Sequence, residues 1–309
     1  MSFFDARASR GLHTGDEAVL GIAGAARLTL RTAQRLGAVG FLDCPLAHHR
    51  FLDAFLKEEA KLVPDYAPTL QEHDRSQRRL DWLDEELRCA HRLLVLSSFE
   101  RSTFCDRGVE EEKIIVCPLG VNLDLFRPRQ RPVDDVFRIV FVGQITQRKG
   151  ISYLVEAFRR ASIPRSELVL VGRPIGSVDP WARIPGVKHV PFMPRSQLPA
   201  VYANADVYVL PSLVEGFGLT GLEAMASGLP VVLSEHTFGS DVITDGVEGY
   251  VVPIRDPESI AERLHLLAAD PDRRREMGLA ARSRAEQYPW EEAGRRFADA
   301  IEIVLREAT

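Results

Sequence analysis

The chain has 309 residues, of which 45% are hydrophobic and 27% charged, and a formal net charge of −5. This is the composition of a folded globular protein. The acidic balance excludes the basic footprint of a nucleic-acid binder, and no run approaches the roughly 18 apolar residues of a membrane-spanning helix.

The opening string MSFFDARASRGLHTGDE has no apolar block after its charges, so it does not read as a signal peptide. A strand is predicted at Glu17–Ala23, then a helix opening at Gly24 and stopped by Gly37, then a strand at Ala38–Asp43. Helices follow at His48–Leu62 and His73–Ala90, with Val63–Thr69 between them as a loop. A strand at Leu93–Ser97, a helix at Phe99–Arg107 and a strand at Lys113–Cys117 complete an alternating half. Alternation of this kind predicts a parallel sheet with helices on both faces.

Pro118–Pro132, with three prolines and three arginines, marks a boundary. Beyond it, strands are predicted at Arg138–Val142, Glu167–Val171, Val187–Val190, Val207–Leu210, Val231–Ser234 and Tyr250–Val252. Helices are predicted at Gly150–Ala161, Gln197–Asn204, Leu219–Ser227, Pro257–Ala269, Pro271–Gln287 and Trp290–Glu307. The expected division is residues 1–128, 129–287 and a terminal helical segment 288–309. The cysteines Cys44, Cys89, Cys105 and Cys117 lack metal-ligand spacing and sit in or near apolar runs. Reduced thiols and a cytoplasmic chain are therefore expected, with peripheral contact at the inner face of a membrane left open.

The most informative stretch is Pro211–Val232, PSLVEGFGLTGLEAMASGLPVV. Gly216 and Gly218 let backbone approach a ligand closely, and the helix that follows directs unpaired N–H groups and a positive dipole end into the same space. Amides of Phe217 and Gly218 are placed to donate there, with the Phe217 ring as core packing. Glu215 and Glu223, eight residues apart, flank the helix start and accept from hydroxyls. Phosphate at the centre and hydroxyl-rich rings at either end describe a sugar nucleotide. Upstream, GQITQRKG at Gly143–Gly150 joins a strand to a helix. Arg148 and Lys149 then fall at a helix N-terminus, where the dipole disfavours cations unless an anion is shared between them.

The string PS-x2-EGFG-x4-EAMASGLPVV resembles the E-x7-E signature of retaining GT-B glycosyltransferases of family 4. IIVCPLGVNLDLFRP and FRIVFVG resemble the passage between that family's two halves. The resemblance implies an α/β fold of GT-B architecture, with two Rossmann-like doubly wound domains facing a cleft and the last helix crossing back to the first. It implies a nucleoside-diphosphate sugar as co-substrate, no metal or other cofactor, and a glycan, lipid or small-molecule acceptor. By position, Lys149 matches the lysine that binds the donor diphosphate, usually beside an arginine where this chain has Gln144, so Arg148 is the candidate replacement. Glu215 matches the acid by the transferred sugar, and Glu223 the acceptor from ribose hydroxyls. Phe192 and Met193 fall in the base-contacting segment, Gly239 and Asp241 at a glycine-acid step near the sugar, and His48 at a histidine that reaches across the cleft.

The bland alternatives are solvated cations for Arg148 and Lys149, a plain turn former for Ser212, a helix start for Asp241 and a solvated helix start for His48. One departure concerns the first domain: nothing like the family's opening strand and Gly-rich loop precedes Glu17. About two βα units, on the order of 60 residues, are missing from the pattern, so an incomplete first sheet with an exposed edge is expected. Three functions follow: a glycosyltransferase, a truncated donor-binding protein without turnover, and an unrelated nucleotide-binding Rossmann protein. The third is disfavoured because no G-x-G-x-x-G follows either opening strand.

Overall fold

The protein is described from a computed structural model over residues 3–71, 73–130, 134–177 and 179–308. Its first half runs α1 (Phe3–Arg10), β1 (Ala18–Ile22), α2 (Arg27–Leu36), β2 (Val39–Asp43), α3 (His49–Leu62), α4 (Gln77–Cys89), β3 (Arg92–Val95), α5 (Ser98–Cys105) and β4 (Ile114–Val116). The strands form one parallel sheet in the order β1-β2-β3-β4, with Leu20 opposite Phe41 and Leu93 opposite Ile114. Among the described residues β1 pairs with β2 alone, and its Leu20 and Ile22 are exposed.

The second half runs β5 (Phe137–Val142), α6 (Ile151–Ala161), β6 (Ser166–Val171), α7 (Asp179–Ala182), β7 (Val187–Val190), α8 (Leu198–Ala203), β8 (Val207–Leu210), α9 (Leu219–Ala226), β9 (Val231–Ser234), α10 (Gly239–Val242), β10 (Gly249–Val252), α11 (Pro257–Ala269) and α12 (Pro271–Ala285). Its parallel sheet has the order β10-β9-β8-β5-β6-β7. Helices cover both faces, so its inner strands are largely apolar: all four residues of β8 and of β9 are buried, with the Ser234 hydroxyl at the end of β9. The strand order reverses between the parallel β8 and β5, and the loops at the carboxyl ends of those strands form a topological switch point, where doubly wound sheets collect ligands.

Several helix ends are written locally. Gly37 takes the left-handed conformation after α2. Asp256–Pro257 and Asp270–Pro271 open α11 and α12 with the aspartate side chain accepting from the third amide onward. The start of α2 is different. The sequence places it at Gly24, but the amides of Gly24 and Ala26 are held by the Glu86 carboxylate, both at 2.6 Å. Those of Leu28 and Thr29 are held by Asp5. The helix therefore begins at Arg27, capped by two acids distant in sequence. Likewise α4 begins at its Ser76 cap rather than at His73. The loop expected at Val63–Thr69 contains a 3-10 helix. Two short helices, α1 and α7, have no counterpart in the sequence pattern, and α10 is the short helix whose start the sequence placed at Asp241.

The last helix, α13 (Trp290–Ala308), leaves the second domain. Its residues Phe297, Ile301 and Val304 pack on Val39, Phe41 and Leu94 of the first sheet. Two strands of chain thus cross between the domains, and they bind each other: Val121 N–H donates to Tyr288 O at 2.9 Å, and Trp290 N–H to Val121 O at 3.0 Å. The end of the proposed boundary, residues 131–132, lies outside the described residues. No described helix is long and apolar enough to cross a membrane.

Gly120 sits at this double crossing, and a Cβ there would lie 2.6 Å from Pro289 O and 2.8 Å from the Trp290 Cα. Both are backbone atoms and cannot step aside. Gly120→Ala is expected to cost about 1–3 kcal/mol, measured as a lower urea midpoint; an unchanged midpoint would show that the crossing is loosely held.

Candidate functional site

The strand-to-helix connection after β5 is not a simple helix start. Gln147–Lys149 form a separate 3-10 turn, and Gly150, at φ 73°, breaks it from α6. A Cβ on Gly150 would collide with the Pro211 carbonyl oxygen. The expectation that Arg148 and Lys149 occupy the helix N-terminus is therefore corrected: they precede it, and their orientation comes from the turn. Leu213 N–H donates to Arg148 O at 2.9 Å, which joins this turn to the loop after β8.

The two cations meet in that loop. Lys149 Nζ pairs directly with Glu215 Oε2, and Arg148 lies 3.8 Å from the same oxygen while donating to Val214 O at 2.8 Å. Ser212 Oγ donates to Glu215 as well. Burial pushes the Glu215 carboxyl up, but the charges of Lys149 and Arg148 outweigh it and hold the group below its usual range. Burial draws the Lys149 ammonium below its ordinary value, opposed by Glu215. Gln144 is exposed and takes no part in this cluster's burial.

Glycine in EGFG answers to two separate needs. Gly218 has φ 94° and starts α9 without a side-chain cap. Gly216 has its α-carbon against the first domain, where a Cβ would strike Pro45 O. The close approach predicted for a ligand is, at Gly216, a close approach between domains. The Phe217 ring is buried and stacks on Phe238 at 4.8 Å, so it is core.

Glu223 is buried on α9, with Oε1 accepting from Arg195 Nε at 2.7 Å and Oε2 from Tyr202 OH at 3.3 Å. Burial raises its carboxyl, only partly opposed by Arg195. Phe192 is exposed and Met193 packs on the second core, at the end of β7 and beside Arg195. Gly239 is buried at the start of α10, and its amide is held by Thr237 Oγ1 at 3.0 Å. Gly143 follows β5, and its carbonyl fills the space where a Cβ on Gly172 would stand.

His48 does not reach across the cleft. It is buried and caps α3, with Nδ1 accepting from Arg50 N–H at 3.1 Å. Its ring stacks on His49 and meets Phe104 edge-on. These contacts all lie in the first domain, because a cap geometry turns the ring back over its own helix. A histidine that does stand at the domain seam is His236, three residues before Gly239, and no pattern in the sequence singles it out. It stacks on Phe99 at 4.1 Å and its Nδ1 lies 2.8 Å from Leu213 O.

The first domain closes on this loop through the start of α5. Ser97 Oγ donates to Gly216 O at 2.7 Å, and Ser98 N–H to Asp241 at 2.8 Å. Asp241 is thereby committed to an interdomain bond. Glu100, one turn into α5, accepts from Leu96 N–H at 2.5 Å. Its Oε1 has no hydrogen-bond partner among the described residues. Burial first, then Glu215 and Asp43, push this carboxyl well above its usual range. Donor atoms of His48, His49 and Asp84 lie within 4.8 Å of one another. Arg50, however, already donates to both Asp84 oxygens, so a cation there would displace a guanidinium.

The assembly offers a cationic turn, a glycine-started helix and two acids around a single loop cluster. An anion approaching Lys149 and Arg148 would compete with Glu215 for their charge and release its carboxylate toward hydroxyl donors.

The profile of the family described as glycosyl transferases group 1 matches residues 124–284, just over half of the chain. The D-inositol 3-phosphate glycosyltransferase of Kribbella flavida is 31% identical over 82% of this chain and 66% of its own. That of Xylanimonas cellulosilytica is 32% identical over 83% and 66%. The chain thus spans 66% of the length of each of these relatives. Among solved structures, sucrose-phosphate synthase from Thermosynechococcus elongatus superposes with a TM-score of 0.76 at 23% identity, covering 99% of this chain and 78% of that one. Anabaena HepE, solved in complex with UDP-glucose, gives 0.70 at 16% identity, covering 93% and 78%. The two facing parallel α/β sheets are the GT-B architecture of these neighbours.

The histidines carry a pH signature. Burial first, then His49, lowers the His48 pKa from 6.5 to about 3, and burial lowers His49 and His236 as well. Between those limits the unfolded chain binds more protons, so this stabilisation is complete above pH 6.5 and declines as pH falls toward 3. His48→Asn, which keeps a capping side chain, is expected to remove on the order of 1–3 kcal/mol of that acid-side decline. An equally steep decline in the variant would reject a neutral buried His48.

Proposed function

Because the chain belongs to the glycosyl transferases group 1 family, we propose that it transfers a glycosyl group from a nucleoside-diphosphate sugar to an acceptor hydroxyl, with retention at the anomeric carbon, as a family 4 enzyme of the E-x7-E type. The observation that carries this reading is the convergence of Lys149 and Arg148 on one oxygen of Glu215, in the loop that starts α9. As the glycosidic bond breaks, the diphosphate gains charge, and these cations with the α9 start stabilise it by preorganised electrostatics. Glu223 accepts from the ribose once Arg195 yields one of its oxygens. Phe192, exposed at the end of β7, lies toward the base, and backbone near Gly239 toward the sugar. No step requires a metal ion in this reading. Attack on the same face, assisted by the leaving phosphate, is the proposed route, rather than a retaining hydrolase's acid and nucleophile about 5 Å apart.

A uridine nucleotide is the first donor to try, since HepE was solved with UDP-glucose. The acceptor, a glycan, lipid or small molecule, is assigned to a first-domain cavity of about 310 Å3 lined by Gly24, Pro45, His49, Arg79 and Glu86. Pro45 connects the two sites, because its carbonyl abuts Gly216. Four free thiols fit a reducing compartment. A second reading, donor binding without turnover, is favoured by the exposed Gln144, which stands where the resembling family usually carries an arginine.

Calorimetry with UDP-, GDP- and ADP-sugars separates these readings. Binding with turnover supports the first and binding without it the second, while no binding to any of them removes both. Lys149→Ala is expected to weaken binding of the preferred nucleotide about 10- to 100-fold, or roughly 1.4–2.8 kcal/mol. Glu223→Ala is expected to weaken it about tenfold through the ribose. Unchanged affinity in Lys149→Ala would sink the diphosphate assignment.

A further inference from the structure

The turn that carries Arg148 and Lys149 is not held by its own domain alone. Glu59, on the last turns of α3 in the first domain, is fully buried. Its Oε1 accepts from Gln147 Nε2 at 2.7 Å and from Tyr153 OH at 2.9 Å, and its Oε2 from Arg255 Nε at 2.8 Å. All three donors belong to the second domain. Thr69, also from the first domain, accepts the Gln147 N–H at 2.8 Å. Gln147 is buried, its Oε1 takes the Ser152 N–H at 3.1 Å, and its carbonyl takes the Gly150 N–H at 2.8 Å. Side chain and backbone of the residue preceding the cations are therefore both fixed from across the seam. Arg255 is itself held in a left-handed conformation, φ 59°, with its guanidinium 4.4 Å from the Phe55 ring and 2.9 Å from Glu58.

A carboxylate without exposure is tolerated only with its lone pairs filled and its charge compensated. Glu59 meets both conditions only while the two domains are closed. We propose that Glu59 is a positioning residue: from the first domain it orders the Gln147–Lys149 turn, so that the diphosphate site of the second domain is complete only in the closed molecule. The inference rests on the donor-site reading above and extends it. A nucleoside diphosphate would select the closed form, because its two cationic contacts are aimed only there. The turn's own hydrogen bonds, Lys149 N–H to Thr146 O and Gly150 N–H to Gln147 O, remain when the domains part. Its anchor to the first domain does not.

The test uses the full chain with Glu59→Gln, which keeps the volume and removes the charge, beside Tyr153→Phe, which deletes one donor, and Glu58→Gln as an exposed control on the same helix. Amide hydrogen exchange of the peptide 143–150 is read against 166–171 in the same sheet, together with calorimetric affinity for UDP, GDP and ADP. Glu59→Gln is expected to speed exchange in 143–150 about tenfold with 166–171 unchanged, and to weaken the preferred nucleotide about tenfold. Tyr153→Phe should move both in the same direction by about twofold, and Glu58→Gln neither. A lowered melting temperature with unchanged exchange and affinity would make Glu59 merely structural and overturn the proposal. Faster exchange with unchanged affinity would overturn it too, because the turn's order would not matter to the ligand. If the unsubstituted chain binds none of the three nucleotides while exchange still responds, the donor-site reading fails and Glu59 reduces to a seam residue. Should Glu59→Gln not fold, Tyr153→Phe alone decides between these outcomes.

Discussion

Buried charge, paired within and between the two domains, is the constraint on which the rest of the structure depends. Glu59, Glu215 and Glu223 are each almost wholly removed from solvent, and each would be costly to bury alone. Compensation comes every time from another segment: Arg255 for Glu59, Lys149 with Arg148 for Glu215, and Arg195 for Glu223. These pairings fix the relative placement of loops that packing alone would leave adjustable. They also leave the cations where an incoming anion can contest them.

The same logic operates inside the first domain. Asp5 and Glu86 take the amides at the start of α2, and the Ser76, Ser97 and His48 side chains cap the helices that follow. These caps order the connections with which the first domain meets the loop after β8. Pro45, Ser97 and Ser98 come from connections at the carboxyl ends of β2 and β3, which is where such sheets place their working loops. The aromatic stack of Phe99 on His236 then closes the seam without further charge.

Ligand entry has to work against this closure. Lys149 and Glu215 satisfy each other, and Glu223 is already paired with Arg195, so the proposed donor would exchange partners within the site rather than fill unpaired groups. Such exchange keeps every buried ion compensated before and after binding, which lowers the cost of holding cations in a nearly water-free place. In the proposed reaction, closure by the first domain would also exclude water from a bond that hydrolysis would waste.

Much of this was legible in the residues themselves. Alternating apolar runs and turn glycines located the strands of both sheets, because two-sided burial demands continuous β-branched stretches. The acids of the Glu215–Glu223 stretch and the Arg148–Lys149 pair were visible because spacing and local order bring them close. What only the tertiary structure decided is which distant residues meet, within a domain or across the seam. Glu59 with Gln147, Ser97 with Gly216 and Arg195 with Glu223 are separated by 88, 119 and 28 residues, and no local pattern encodes such a meeting. His48 was misplaced for the same reason: a histidine at a helix start can face either way, and its orientation is set by the Phe104 and His49 rings packed around it. Local periodicity determined the elements, and the need to neutralise buried charge determined how they came together.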